Sequence, residues 1–152
     1  MKIDPLLNGL NSDTYLGFDF GIRKIGVAVG HVETGIANPL TTIRAVKQKP
    51  GWQAITDLVN RWQPRGCVVG LSLQQDGTEN PVSQPMLRFC RQLEGRYQVP
   101  VFRMDETLTT VEAKRLLFEE LELSASKLWQ VQDQLAAQLI LQSWLNHYHA
   151  RK

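Results

Sequence analysis

Four acidic residues stand where a carboxylate could do more than solvate a surface. Asp19 lies at the end of an apolar run over residues 15–20, just before Gly21. Asp105 and Glu106 follow a second such run, residues 99–103, and Asp133 sits among the packing residues Val131, Leu135, Ala136 and Ala137. Carboxylates drawn within a few ångströms of one another repel and resist burial. A hard divalent cation such as Mg²⁺ or Mn²⁺ relieves both costs and accepts oxygen ligands. Two such ions about 4 Å apart can activate water and stabilise the leaving oxygen of a phosphodiester. Taken singly, each acid has an ordinary reading. Asp19 reads as turn chemistry, Asp105-Glu106 as a solvated loop, and Asp133 as an acid at a helix N-terminus. Only their joint placement points to metal chemistry.

The elements that must position them follow from periodicity. Residues 15–20 and 25–30 are short apolar runs joined by a connection tight enough for an antiparallel hairpin. Residues 35–44 predict a third strand, and Asn38-Pro39 at its centre demands an edge position, because proline cannot donate to a ladder. Ile55, Leu58, Val59 and Trp62 place a helix over residues 52–62. Residues 67–71 are wholly apolar, as suits a central parallel strand covered on both faces. Met86, Phe89, Cys90 and Leu93 mark a helix introduced by Pro81 and Pro85 and closed by Gly95, followed by a strand at 99–103. Thr109 with Glu112 opens a helix through Leu121, residues 123–130 read as a connection, and a last helix begins at Val131 and frays from His147. The order predicts an α/β fold, a mixed sheet with helices on both faces. Residues 1–12 read as a flexible lead and residues 13–150 as one domain. Ligands of such sheets gather beyond the carboxyl ends of the parallel strands, where Asp19 and Asp105-Glu106 both fall.

Composition narrows the function. The 152 residues carry 17 Lys and Arg against 15 Asp and Glu, so net charge does not announce a nucleic-acid binder, but the charge is unevenly spread. Residues 21–103 hold eleven bases against five acids, and residues 105–133 hold seven acids against three bases. A basic face beside an acidic cleft would suit a phosphate backbone and a divalent cation respectively. Cys67 and Cys90 read as buried, reduced thiols, no run is long enough to span a bilayer, and a cytoplasmic location is expected. The glycines near Asp19 make neither a dinucleotide fingerprint nor a phosphate loop, and a nucleotide-enclosing second lobe would not fit in this length. His31, His147 and His149 form no nucleophile triad, and the four tryptophans read as helix-face or loop aromatics.

Four segments, in order, resemble the motifs of the YqgF/RuvX family of Holliday junction resolvase-like proteins, also assigned as pre-16S ribosomal RNA nucleases. They are Phe18-Asp19-Phe20-Gly21-Ile22-Arg23-Lys24-Ile25-Gly26-Val27-Ala28, Val69-Gly70-Leu71 with Asp76-Gly77-Thr78-Glu79, Asp105-Glu106-Thr107-Leu108-Thr109-Thr110-Val111-Glu112-Ala113, and Asp133-Gln134-Leu135-Ala136-Ala137. The resemblance implies a ribonuclease H-like fold with a five-stranded mixed sheet. It implies Asp19, Glu106 and Asp133 as catalytic metal ligands, with Asp105 a substitute or outer partner, and Mg²⁺ or Mn²⁺ as cofactor. It further implies a nuclease acting on structured RNA at the 5′ end of the small-subunit ribosomal RNA precursor, with branched DNA as the older alternative. Arg23, Lys24, Arg88, Arg91 and Lys114 are the basic residues placed to meet nucleic acid. Ribosomal association and a monomer or weak homodimer are expected, with no membrane partner.

The chain departs from the family pattern at Thr107, where an arginine is usual, and at Ser72, where a proline is usual; Lys127 stands as a displaced basic residue. Loss of the guanidinium removes a bidentate phosphate ligand. A binding protein with weak or lost catalysis is therefore the second reading, and a junction-cutting DNA nuclease or a nucleotide-hydrolysing enzyme the third.

Overall fold

The computed structural model describes residues 13–21, 23–47, 49–71, 83–104 and 125–150. Five strands form one sheet: β1 (Thr14–Phe20), β2 (Lys24–His31), β3 (Ile36–Arg44), β4 (Gly66–Leu71) and β5 (Val101–Met104), in the order β3-β2-β1-β4-β5. Three helices are described: α1 (Trp52–Trp62), α2 (Ser83–Tyr97) and α3 (Ala125–Ala150). β1, β2 and β3 form an antiparallel meander, whereas β4 runs parallel to β1 and β5 parallel to β4. This is the mixed five-stranded, ribonuclease H-like architecture that the motif order implies. The proposed lead over residues 1–12 and the helix predicted from Thr109 lie outside the described residues.

β1 is central, and all seven of its residues are buried. Its even-numbered side chains, Leu16, Phe18 and Phe20, join Val27, Val69, Ile55, Phe89 and Leu93 in the core under α1 and α2. Its odd-numbered positions face α3, where Tyr15, Ala28 and Val68 meet Ala137, Ile140, Leu141 and Leu145. Burying a leucine such as Leu141 or Leu145, both fully enclosed, contributes roughly 1.5–3 kcal/mol. Pro39 does occupy an edge strand, opposite Ala28, next to a register shift between Val27 and Ala28.

α3 seats closely on the sheet because Gly17, Gly26 and Gly70 beneath it lack side chains. A β-carbon on Gly17 would lie 2.7 Å from Leu141 Cβ, one on Gly70 would lie 2.5 Å from Ile140 Cδ1, and one on Gly26 would lie 1.9 Å from the Asp133 carbonyl oxygen. Two glutamines, one turn apart, then tie the helix to the outer backbone of β3. Gln138 Nε2 donates to the Ala37 carbonyl at 3.0 Å, Gln142 Oε1 accepts from the Ala37 amide at 2.9 Å, and Gln142 Nε2 donates to the Gly35 carbonyl at 2.7 Å.

Two helix boundaries differ from the sequence expectation. α2 passes through Gly95 to Tyr97, and Gln98 instead takes the left-handed position (φ 54°), its amide donating to the Glu94 carbonyl. Tyr97 explains the extension: its hydroxyl lies 2.8 Å from Thr56 Oγ1, and its ring packs near Trp52. α3 begins at Ala125 rather than Val131 and runs to Ala150, so residues 125–130 are helix rather than connection, and the fraying expected from His147 is not seen.

Both cysteines are buried. Desolvation, with Cys90 nearby as a smaller influence, pushes the Cys67 thiol up to about 12. Cys67 should therefore stay a protonated, unreactive thiol at pH 8. A brief N-ethylmaleimide pulse is expected to leave it unlabelled in the native chain and to label it fully in guanidinium, as read by peptide mass spectrometry. Rapid native labelling would show that the β4 core opens.

Candidate active site at the end of the central strand

Asp19 is the sixth residue of β1, on the face that α3 covers, and is 4% exposed. Its depth within a paired strand sets aside the turn reading. Across the ladder its partner is Gly26. The absence of a side chain at Gly26 lets the main chain of Asp133 settle onto the sheet at that point, with Asp133 Cβ only 2.9 Å from where a Gly26 β-carbon would be. Directly opposed β-carbons in an antiparallel pair are about 5 Å apart, so those of Asp19 and Asp133 can be separated by no more than roughly 8 Å. Two acids 114 positions apart in the chain are thus delivered to one place. Asp133 lies about two turns inside α3, which removes the helix-terminus explanation for it.

Lys24, the first residue of β2, completes what the described residues contribute. Its Nζ lies 2.9 Å from Asp133 Oδ2, and both side chains are partly exposed. Gly21 keeps the intervening turn tight, since a β-carbon there would lie 2.7 Å from the Lys24 carbonyl oxygen. The donor set of Asp19 and Asp133 is all oxygen and anionic, and a cationic group already stands against it. That chemistry fits a hard divalent cation. Among the described residues no three His, Cys, Asp or Glu side chains gather into a ligand set. Asp105 and Glu106 lie outside the described residues; the last residue of β5, Met104, pairs with Gly70, which is itself the β4 partner of Asp19.

A family model described as "RuvX: Holliday junction resolvase" matches residues 13–147. The chain belongs to the RuvX family. It is similar to a protein of Methylococcus capsulatus that carries the name "Putative pre-16S rRNA nuclease", with 56% identity over 133 residues, 88% of each chain. A Nitrosomonas europaea protein of the same name is 44% identical over 146 residues, 96% of this chain and 98% of the other. Among solved structures, Thermus thermophilus RuvC in complex with a Holliday junction substrate superposes with a TM-score of 0.53 at 20% identity, over 91% of this chain and 94% of that one. Fowlpox virus resolvase with Holliday junction DNA gives 0.54 at 11% identity, over 89% and 98%. At those identities the likeness is one of fold.

In this RuvX-family chain the predicted basic residues divide. Arg23 is exposed in the turn between β1 and β2, and Lys24 stands at the carboxylates. Arg88 and Arg91 are exposed on α2, but of the two only Arg88 lines the cavity that opens beside Phe20, Gly21 and Lys24. Lys114 lies outside the described residues. Spacing along the chain does not flag Lys49, Trp52 or Arg96, which line that same cavity. Nor does it flag the part Gly26 plays: four glycines around a hairpin look like turn chemistry until a helix from the far end of the chain is laid over them. No helix among the described residues is long and apolar enough to cross a membrane.

Proposed function

We propose that this RuvX-family chain is a divalent-metal-dependent nuclease that hydrolyses phosphodiesters in structured RNA, with the 5′ end of the small-subunit ribosomal RNA precursor as its substrate. The observation that carries the reading is the seating of Asp133 on Gly26, the cross-strand partner of Asp19. The names carried by the similar proteins favour RNA over branched DNA. Asp19 and Asp133 would hold one or two Mg²⁺ or Mn²⁺ ions together with Glu106, and Asp105 would support that third ligand. Such ions, when bound, supply an activated water and charge stabilisation for the leaving 3′ oxygen. The protein's own contributions are placement and exclusion. Asp19, fixed in a fully buried strand, is the rigid anchor. Asp133 arrives on a helix held by glycine contacts on one side and glutamine hydrogen bonds on the other. Lys24 balances the carboxylate charge and can swing toward a phosphate, while Arg23, exposed beside it, meets the backbone of the substrate. Arg88, Arg91 and Lys114 would extend that contact.

The test is cleavage by the purified chain of a precursor RNA bearing its 5′ leader and, separately, of a four-way DNA junction. Each is assayed with Mg²⁺, with Mn²⁺ and with EDTA. Leader removal that needs the metal, with the junction left whole, is expected. Arg23→Ala should raise the RNA concentration for half-maximal rate. Junction cutting without RNA cutting would replace the substrate assignment, and RNA binding with no cleavage under any metal would leave a binding protein in place of an enzyme.

A further inference from the structure

At the same end of β1 as the carboxylates, but on the opposite face of the sheet, the one that packs α1 and α2, opens a cavity of about 360 Å³. That size falls within the roughly 300–1,000 Å³ range of small-ligand sites. Lys24, Lys49, Arg88 and Arg96 line it, with no Asp or Glu among the lining residues. Its apolar wall is aromatic: Phe20, Phe89 and Trp52. Arg96 is held in place, its guanidinium carbon 4.2 Å from the centre of the Trp52 ring. A stacked guanidinium keeps its N–H edge available for a phosphate while losing little further freedom when one binds.

Lys49, Pro50 and Trp52 also line a second, larger groove of about 910 Å³ between the end of β3 and α1. Arg44, Lys47 and Arg61 stand on it, opposed only by Asp57, and Ile43, Val46 and Leu58 supply apolar surface. Val46 is 61% exposed there. In a chain whose bases and acids nearly balance, six bases against one acid over two adjoining hollows, leaving aside Lys24 with its Asp133 partner, is a local accumulation. Crowded cations repel one another, and the arrangement is relieved by a polyanion laid along it. Apolar surface between cationic rims suits bases and sugars between phosphates.

We propose that the cavity and the groove are one track for a single strand of nucleic acid that passes from the carboxylates around the end of β1: the cavity grips a backbone phosphate beyond the scissile one, and the groove takes the nucleotides that follow. Lys24, which lines the cavity and pairs with Asp133, joins the two sites. The track deepens the nuclease reading and rests on it for its direction, but its binding can be measured without cleavage.

The experiment is fluorescence anisotropy of a 12-nucleotide single-stranded RNA with the whole chain in EDTA, over a series of salt concentrations. Each phosphate contact removed should lower the slope of log K against log salt by about 0.7 for a single strand. The double variant K49A/R96A is therefore expected to flatten the slope by about 1.4 and to weaken binding by at least about tenfold. Lys49→Glu, a charge reversal at an exposed residue, should do at least as much as Lys49→Ala without touching the Trp52 stack, and Arg96→Lys should recover part of the slope but not the full affinity. Arg65→Ala, an exposed cation at the opposite end of the strands, before β4, should leave both unchanged. If Lys49→Glu and K49A/R96A keep the affinity and slope of Arg65→Ala, no strand lies in the track and the proposal falls. Polyglutamate binding with the same residue dependence, and no binding of the RNA, would overturn it in favour of an acidic protein. Should the chain bind RNA through these residues yet cleave nothing, the track stands and the nuclease reading fails separately.

Discussion

Asparagine in place of Asp19 is expected to cost more activity than any other single change described. The exchange keeps the shape of the side chain and removes its charge, at a position 4% exposed where the surrounding strand is too tightly paired for another acid to move in. Removing a group that merely supports a metal ligand lowers activity by about 10–100-fold, and loss of a ligand itself should exceed that. A fall of about a thousandfold in metal-dependent RNA cleavage, or roughly 4 kcal/mol of barrier, is the expected size. The fold should survive. Asparagine fills the same space in the strand, so the melting temperature should stay close to the parent's. RNA affinity in EDTA should likewise hold or rise, because a negative charge facing phosphate has gone. Initial rates, thermal melts and anisotropy on one preparation check all three. A variant with rates within about tenfold of the parent would remove Asp19 from the metal site.

Gly26→Ala should produce the largest loss that touches no acid. Its methyl group would fall 1.9 Å from the Asp133 carbonyl oxygen and 2.9 Å from Asp133 Cβ, and neither atom belongs to a side-chain end that can swing aside. The helix must lift or the strand must bend. Overpacking of this kind costs about 1–3 kcal/mol of stability. Because the displaced segment carries Asp133, cleavage should fall further than the stability loss explains, even at temperatures where the variant is fully folded. Gly30→Ala is the matched control: there the close atoms at 3.0 Å are Leu141 Cδ2 and Leu145 Cδ1, ends of flexible side chains, and the nearest backbone atom, the Ile36 carbonyl oxygen, stands at 3.2 Å, so a smaller shift in melting temperature and near-parental cleavage are expected. If both variants lose stability and activity alike, the close seat at Gly26 has no special bearing on the site.

Much of this architecture can be read along the chain because it rests on local rules. Pro39 demanded an edge and lies on one; the unbroken apolarity after Cys67 demanded cover on both faces and has it. The stripe from Ile55 to Trp62 placed α1 at its observed bounds. Local rules failed where tertiary contacts outweighed them. Gly95 looks like a helix stop, yet the hydroxyl contact of Tyr97 with Thr56 and its packing near Trp52 draw α2 past it. Asp133 could be listed as a candidate from the motif it sits in, but its neighbourhood depends on Gly26, a residue with no side chain to leave a periodic signature. The basic track is less legible still. Lys49 comes from the connection before α1, Trp52 from its first turn and Arg96 from the end of α2, and no spacing rule links three residues that meet only after the sheet has formed.

The glutamine clasp on β3 has a bearing on how this protein keeps company with itself. An outermost strand ordinarily offers a row of open amide and carbonyl groups, a template on which a neighbouring molecule can build another strand. Here Gln138 and Gln142 already occupy the Ala37 amide and the Ala37 and Gly35 carbonyls, and Pro39 offers no amide at all. The same two side chains that hold the last helix in place therefore deny the first half of that margin to intruders, and self-association through residues 35–39 would first have to unfasten the helix that carries Asp133.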